Sequence, residues 1–207
     1  MDEIHRRQFL AWSRDDDHLA KLDRTRREIA ACPDRSTVLF SGGKDSLTVL
    51  DLAVKAGKCG QAIHIHSGYD LMPKPYYDEI KEQLRRVCGD RCRIVLIEPG
   101  GKDDPDPIPF VIGTLRAEEN GRRRRGGPNA DCFGAPCRQV IFDWSWMDVW
   151  AYIVSNDLPY HKVYDLRAPI EGWDKARFSE FFCKDLERFT GAVDGLTAWR
   201  YRPQTRR

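Results

Sequence analysis

No run of the roughly eighteen apolar residues that a bilayer-crossing helix needs occurs in this chain, and its opening Met1-Asp2-Glu3-Ile4-His5-Arg6-Arg7 holds no apolar stretch of signal-peptide type. A cytoplasmic protein with no membrane contact is therefore expected. An even set of cysteines is also missing. Seven thiols are scattered over 207 residues, which disfavours a full disulfide framework and leaves reduced thiols or a metal site. Net charge is small, +2, and points to no class of partner by itself. There is no internal repeat, and no Gly-x-x-x-x-Gly-Lys-Ser/Thr string of the P-loop type.

What is present suits one globular domain, residues 1–207: 41% hydrophobic and 32% charged residues are ordinary proportions. A helical segment about 1–33 and a helical extension about 166–207 would flank its centre. Between them, strand and helix patterns alternate. His18 to Ala31 reads as an amphipathic helix stopped by Pro33, Ser36 to Phe40 as a strand, and Lys44 to Ala56 as a helix stopped by Gly57. Gln61 to His66 is a strand, Lys74 to Val87 a helix, Arg93 to Ile97 a strand and Pro109 to Leu115 a fourth. Polar, glycine- and proline-rich stretches at 100–107 and 121–136 read as loops. This alternation predicts an α/β fold, doubly wound, with a mainly parallel sheet and helices on both faces. In such folds ligands sit at the carboxyl ends of strands.

One of those ends carries Ser41-Gly42-Gly43-Lys44-Asp45-Ser46. Glycines without Cβ atoms let an anion approach the main chain, and the first turn of the following helix offers unpaired N–H groups at the positive end of its dipole. A tight strand-to-helix turn would account for the glycines, but not for Ser41, Lys44, Asp45 and Ser46 together. The string resembles the PP-loop of the ATP pyrophosphatases, a superfamily that cleaves ATP between its α and β phosphates. Further along, Asp143-Trp144-Ser145-Trp146-Met147-Asp148-Val149-Trp150 and Asn156-Asp157-Leu158-Pro159-Tyr160-His161-Lys162-Val163-Tyr164-Asp165 resemble the segment that marks the phosphoadenosine phosphosulfate (PAPS) reductase family. In physical terms the first of these is a helix with Ser145 as N-cap, Asp148 three residues on, and a tryptophan-rich apolar stripe.

The resemblance implies an adenine nucleotide α-hydrolase-like fold, with ATP and Mg2+ as cofactors. The nucleotide site would comprise Ser41, Gly42, Gly43, Lys44, Asp45 and Ser46, then His66, Ser67 and Gly68 at the second strand end, where the family has Asp-Thr-Gly. The segment Gly113 to Arg123, which resembles the family's Gly-hydrophobic-Arg-x-x-Glu-Ser-x-x-Arg, would add Arg116, Glu119, Arg122 and Arg123. Lys44, Asp45 and Arg116 are the expected catalytic residues, Asp45 also supporting magnesium. Arg116 would fork onto phosphate oxygens, with Glu119 orienting it or holding a metal.

The thiols discriminate between chemistries. Reductases of this family carry a nucleophilic cysteine in a C-terminal Glu-Cys-Gly-type segment. The tail Leu196 to Pro203 has no thiol, and the last cysteine, Cys183, follows an apolar aromatic run. Cys132 and Cys137 could serve as a redox or sulfur-carrying pair in a loop rich in arginine, while an iron–sulfur cluster drawing also on Cys88 and Cys92 has no strong ligand spacing and is not favoured. The expectation is thus a PP-loop ATP-binding enzyme that transfers adenylyl and releases pyrophosphate, in sulfur metabolism or sulfur modification. A PAPS reductase is one alternative. The other is the ATP pyrophosphatase subunit of a nucleic-acid sulfur-modification system, such as DNA phosphorothioation or tRNA thiolation. Partners consistent with these readings are an adenine nucleotide, a sulfur-donor protein, a second copy of the chain, and nucleic acid held by Arg122 to Arg125 or by Arg200, Arg202, Arg206 and Arg207.

Overall fold

The structure, a computed structural model, describes residues 1–66, 72–98, 104–118 and 134–178. Its strands are β1 (Ser36–Leu39), β2 (Cys59–Ile65), β3 (Arg93–Ile97), β4 (Val111–Gly113) and β5 (Cys137–Gln139). Every pairing is parallel, and the strand order is β3-β2-β1-β4-β5. A parallel neighbour can be reached only by a crossover, so helices must intervene. Helix α3 (Lys44–Lys55) links β1 to β2, and α4 (Lys74–Cys88) links β2 to β3. Ahead of the sheet come α1 (Glu3–Trp12) and α2 (Asp16–Ala30), and after it α5 (Trp146–Ser155) and α6 (Val163–Glu171). This is the doubly wound α/β class that the alternation predicts. No helix among the described residues is long and apolar enough to cross a membrane.

The strand order reverses at β1. The chain goes to β2 and β3 on one side and returns to β4 and β5 on the other, which opens a crevice outside the carboxyl ends of β1 and β4. Helix α3, which starts beside that crevice, is buried from Ser46 to Val54, and even its Asp51 is inside, bonded by the Tyr152 hydroxyl at 2.6 Å and by Lys55 at 2.7 Å. A helix enclosed on all sides cannot shift without disrupting the core, so it holds the loop before it rigidly.

Helix α5 is fixed at its start by a complete capping box. Ser145 accepts from the Asp148 amide, and the Asp148 carboxylate accepts from the Ser145 N–H at 2.8 Å. That carboxylate, fully buried, also takes the indole N–H of Trp12 at 2.9 Å, the His18 ring nitrogen at 3.1 Å and the Lys21 ammonium at 3.0 Å. One acid therefore ties α1 and α2 to α5. Phe9 completes the joint by stacking on Trp150, with Trp146 and Trp173 edge-on.

Two features differ from the sequence reading. The fourth strand is confined to Val111–Gly113, because the Leu115 N–H is taken by the Gln139 side-chain oxygen at 2.8 Å instead of continuing the ladder. Gly113 makes room for that side chain, since a Cβ there would lie 2.2 Å from the same oxygen. The sequence also gave no sign of β5, whose three residues are too few to display a strand period.

Candidate functional site

The loop between β1 and α3 is built from its own side chains. Gly42 stands at φ +88°, a conformation that β-carbon-bearing residues rarely adopt. The Ser46 hydroxyl donates to the Gly43 carbonyl at 2.9 Å and accepts from the Ser41 N–H at 3.2 Å, while the Ser41 hydroxyl accepts from the Gly43 N–H at 3.3 Å. Both serines therefore shape the loop from within. Gly43 is the N-cap of α3 and provides no side-chain cap, so the first-turn N–H groups are left for other acceptors.

Charge converges on this helix start from the far side of the crevice. Arg116, three residues beyond β4 and fully buried, donates from Nε to Asp45 Oδ1 at 2.6 Å. Asp45 Oδ2 lies 3.3 Å from the ammonium of Lys44, itself 1% exposed. The second arm of Arg116 reaches Glu118 Oε2 at 2.6 Å, and the same oxygen accepts from the Trp146 N–H at 3.2 Å, linking the array to α5. Burial would raise the Asp45 pKa, but Lys44 and Arg116 outweigh it and hold the carboxyl below its usual range. Burial, with Arg116 and Arg177 nearby, lowers Lys44 against the pull of Asp45. The predicted trio Lys44, Asp45 and Arg116 is thus one contiguous group at the switch point, joined across 71 residues of sequence.

Asp45 does not suit the magnesium role. Each of its oxygens already has a cationic partner, and a divalent ion would have to enter between an ammonium and a guanidinium. Among the described residues no group of three or more histidine, cysteine or acidic side chains is arranged to hold a metal ion. His66, at the end of β2, is buried with its ring 4.2 Å from that of Tyr77, and burial lowers its pKa. Ser67, Gly68, Glu119, Arg122, Arg123, the rest of the arginine run, Cys132, Cys183 and the C-terminal arginines lie outside the described residues.

Two participants escaped the sequence reading. Glu118, one position before Glu119, accepts from Arg116 Nη1 at 2.6 Å. Tyr164 is the other. Its hydroxyl accepts the Lys44 N–H at 3.0 Å at the mouth of the loop, with the Phe178 backbone beside it. Burial raises the Tyr164 pKa. Phe178 and Ile80 fill the space beside Gly42, where an added Cβ would meet them at 3.0 and 2.9 Å. The only advance signal for Tyr164 was its place in the Leu-Pro-Tyr segment.

The thiols lie elsewhere. Cys59 opens β2, Cys137 opens β5, Cys92 immediately precedes β3 and Cys88 ends α4, all at the amino end of the sheet, opposite the loop. Cys137 is buried in a strand, not displayed on a loop. Cys92 and Cys137 are separated by four strand spacings, about 19 Å, so Cys88, Cys92 and Cys137 cannot ligate one iron–sulfur cluster. A surface hollow of about 600 Å³, lined by Arg27, Cys32, Phe110, Cys137 and Arg138 among others, also opens at that amino end.

Fold and loop together define a class: a doubly wound α/β protein with a Gly-Gly turn and a buried arginine at its switch point. Comparison with protein-family models gave no match. Comparison with curated proteins gave partial ones. The chain is 26% identical over 185 residues to an uncharacterized protein of Methanocaldococcus jannaschii, covering 72% of this chain and 36% of that protein. It is 33% identical over 100 residues to adenosine 5'-phosphosulfate reductase of Neisseria meningitidis, 48% of this chain and 39% of the relative. To sulfate adenylyltransferase subunit 2 of Mycobacterium tuberculosis it is 33% identical over 79 residues, 35% of this chain and 24% of the relative. The chain thus spans well under half the length of these relatives. Distant and partial as they are, the two named relatives are enzymes, and they point to the PAPS reductase and PP-loop superfamily.

Proposed function

We propose that this protein is a PP-loop ATP-binding enzyme that transfers an adenylyl group, with release of pyrophosphate, in sulfur metabolism or sulfur modification. The observation that carries the reading is the buried Lys44–Asp45–Arg116 array at the switch point, at the start of a helix whose N-cap glycine supplies no side-chain cap. Pyrophosphate is the leaving group of such a transfer, and its charge builds up as the bond to the α phosphorus breaks. Cations fixed in a water-poor site stabilise that charge without reorganising. Asp45 serves as the brace: it holds Arg116 and Lys44 at a set separation and offsets their repulsion while the site is free of nucleotide. Magnesium is proposed to arrive on the triphosphate, not on Asp45. Tyr164 takes the place of an anionic oxygen on the Lys44 amide, so nucleotide entry displaces its hydroxyl.

The adenylyl-transfer reading is favoured over reduction because none of the cysteines among the described residues approaches the loop, whereas sulfonate reduction needs a thiolate at the bound nucleotide. The name of the mycobacterial relative, a subunit, makes a partner protein a reasonable further proposal, and a sulfur donor is its simplest form. The decisive test incubates the protein with Mg-ATP and candidate acceptors and scores the products. AMP and pyrophosphate are expected. ADP and orthophosphate as sole products would overturn the assignment, and thioredoxin-dependent sulfite release from a phosphosulfate nucleotide would transfer it to the reductases.

A further inference from the structure

The surface hollow of about 600 Å³ at the amino end of the sheet takes no part in the nucleotide site. One wall is the carboxyl-terminal half of α2. Arg24, Arg27 and Glu28, with Ala31 as C-cap, follow one another at three-, four- and seven-residue offsets and so share one face of that helix. The other wall is Phe110, just ahead of β4, with Pro136 and the first residues of β5, Cys137 and Arg138. Cys32 and Cys137, each 5% exposed, are the most deeply buried residues of the lining.

Two properties of this lining point to a ligand. The first is charge, because three arginines stand against one carboxylate. Glu28 accepts from Arg138 at two points, Nε at 3.3 Å and Nη2 at 3.2 Å, a pair that bridges α2 to β5 and fixes the guanidinium plane. Arg24 and Arg27 pair instead with Asp143 and, at 2.7 Å, with Asp23, acids that do not line the hollow. Both of those pairs are exposed. Exposed pairs hold weakly, so either cation turns to a bound anion at little cost. The second property is apolar surface: the partly buried ring of Phe110 beside the two thiols. Pro33 and Pro136 hold the backbone at fixed φ on both walls, so the hollow is formed before a ligand arrives.

We propose that this hollow binds a small organic anion built on a flat ring, one that carries a carboxylate, sulfonate or phosphate. The ring lies against Phe110 and the two thiols, where it removes apolar surface from water, and a guanidinium plane covers its open face. Arg24 and Arg27 take the anionic group, since a planar fork meets two of its oxygens at once. A volume of about 600 Å³ suits a ligand of that size. The hollow takes no residue from the β1–α3 loop, so the proposal stands apart from the reading given to that loop.

The test titrates naphthalene-2-sulfonate into the full chain, read by calorimetry and by amide NMR. A dissociation constant on the order of 0.1 mM is expected. Shifts should concentrate at Cys32, Phe110, Cys137 and Arg138 and be absent from Gly42, Gly43 and Lys44. Arg24→Gln and Arg27→Gln, both at exposed positions, should leave the thermal melt unchanged while each weakens binding about fivefold, and the double variant more than about tenfold. The uncharged naphthalene-2-sulfonamide should bind about tenfold less tightly than the sulfonate. No binding at millimolar probe, shifts away from the hollow, equal affinity for the sulfonamide, or a double variant that binds like the parent would each overturn the proposal. Tighter binding of hexaglutamate than of the sulfonate would overturn it too, and would make the hollow a contact for an acidic protein segment.

Discussion

At the scale of single residues, the two glycines of the loop have different duties. Gly42 carries the positive φ and has Ile80 and Phe178 against it, so Gly42→Ala is expected to cost about 1–3 kcal/mol of stability through strain and overpacking, read as a lower denaturant midpoint. Gly43 has ordinary backbone angles, and a Cβ there would meet the Ser41 hydroxyl at 3.3 Å and the Tyr164 hydroxyl at 3.5 Å. Gly43→Val should therefore fold and yet lose nucleotide binding in calorimetry, because its methyls enter the anion path. Unchanged affinity would remove the loop from the nucleotide site. Tyr164→Phe takes away the hydroxyl that competes for the Lys44 amide. One neutral hydrogen bond is worth about 1 kcal/mol, so nucleotide should bind roughly fivefold tighter, and weaker binding would show that the hydroxyl helps to hold the ligand instead. Arg116→Lys keeps the charge but not the fork that spans Asp45 and Glu118. A fall of about a hundredfold in the rate of pyrophosphate release is expected, with the circular-dichroism melt little changed.

At the scale of elements, α1 and α2 belong to the same core as the sheet through one carboxylate and one ring. Asp148 accepts from α1, α2 and the start of α5 at once, so Asp148→Ala strips partners from buried His18 and from Lys21 together and should cost about 3 kcal/mol or more. Phe9→Ala, which leaves a void among Trp146, Trp150 and Trp173, should cost a similar amount, about 3–5 kcal/mol. Hydrogen exchange gives the sharper reading: both substitutions should raise exchange in α1 before it rises in α3, since α3 is enclosed by other elements.

At the scale of the whole molecule, acid should weaken the fold in two stages. His64 is buried, its Nδ1 bonded to the Phe40 carbonyl at 2.7 Å and its Nε2 without a partner, and burial lowers its pKa to about 4. The unfolded chain takes up that proton near pH 6.5, so it binds more protons than the folded one between the two values. Stability is then complete above about pH 6.5 and falls as pH drops toward 4, by roughly 3 kcal/mol across the window. Asp148 adds a second loss further down. Burial would raise its pKa, but hydrogen bonds from His18, Trp12 and Ser145 prevail and hold it low, so its contribution is present above about pH 4 and disappears as pH falls through the folded value. Urea midpoints measured at a series of pH values should show both stages. His64→Asn, which retains a donor near the Nδ1 position, should flatten the upper one and leave the lower.

What the sequence determined by itself was local. The parallel α/β class follows from alternating strand and helix periods, the glycine turn between β1 and α3 from six consecutive residues, and the start of α5 from Ser145 and Asp148, because each depends on interactions within a few positions of the chain. Arg116 was also legible, as an arginine just past a strand. The tertiary structure decided the partners. Asp45 lies between Lys44 and Arg116 only because β1 and β4 are neighbours in space, and that occupies the oxygens a magnesium ion would need. Tyr164, 120 residues from Lys44, reaches the loop through the packing of α6. No period or motif encodes such contacts, because closing them takes the free energy of the whole core, and only the folded sheet fixes which distant residues face one another.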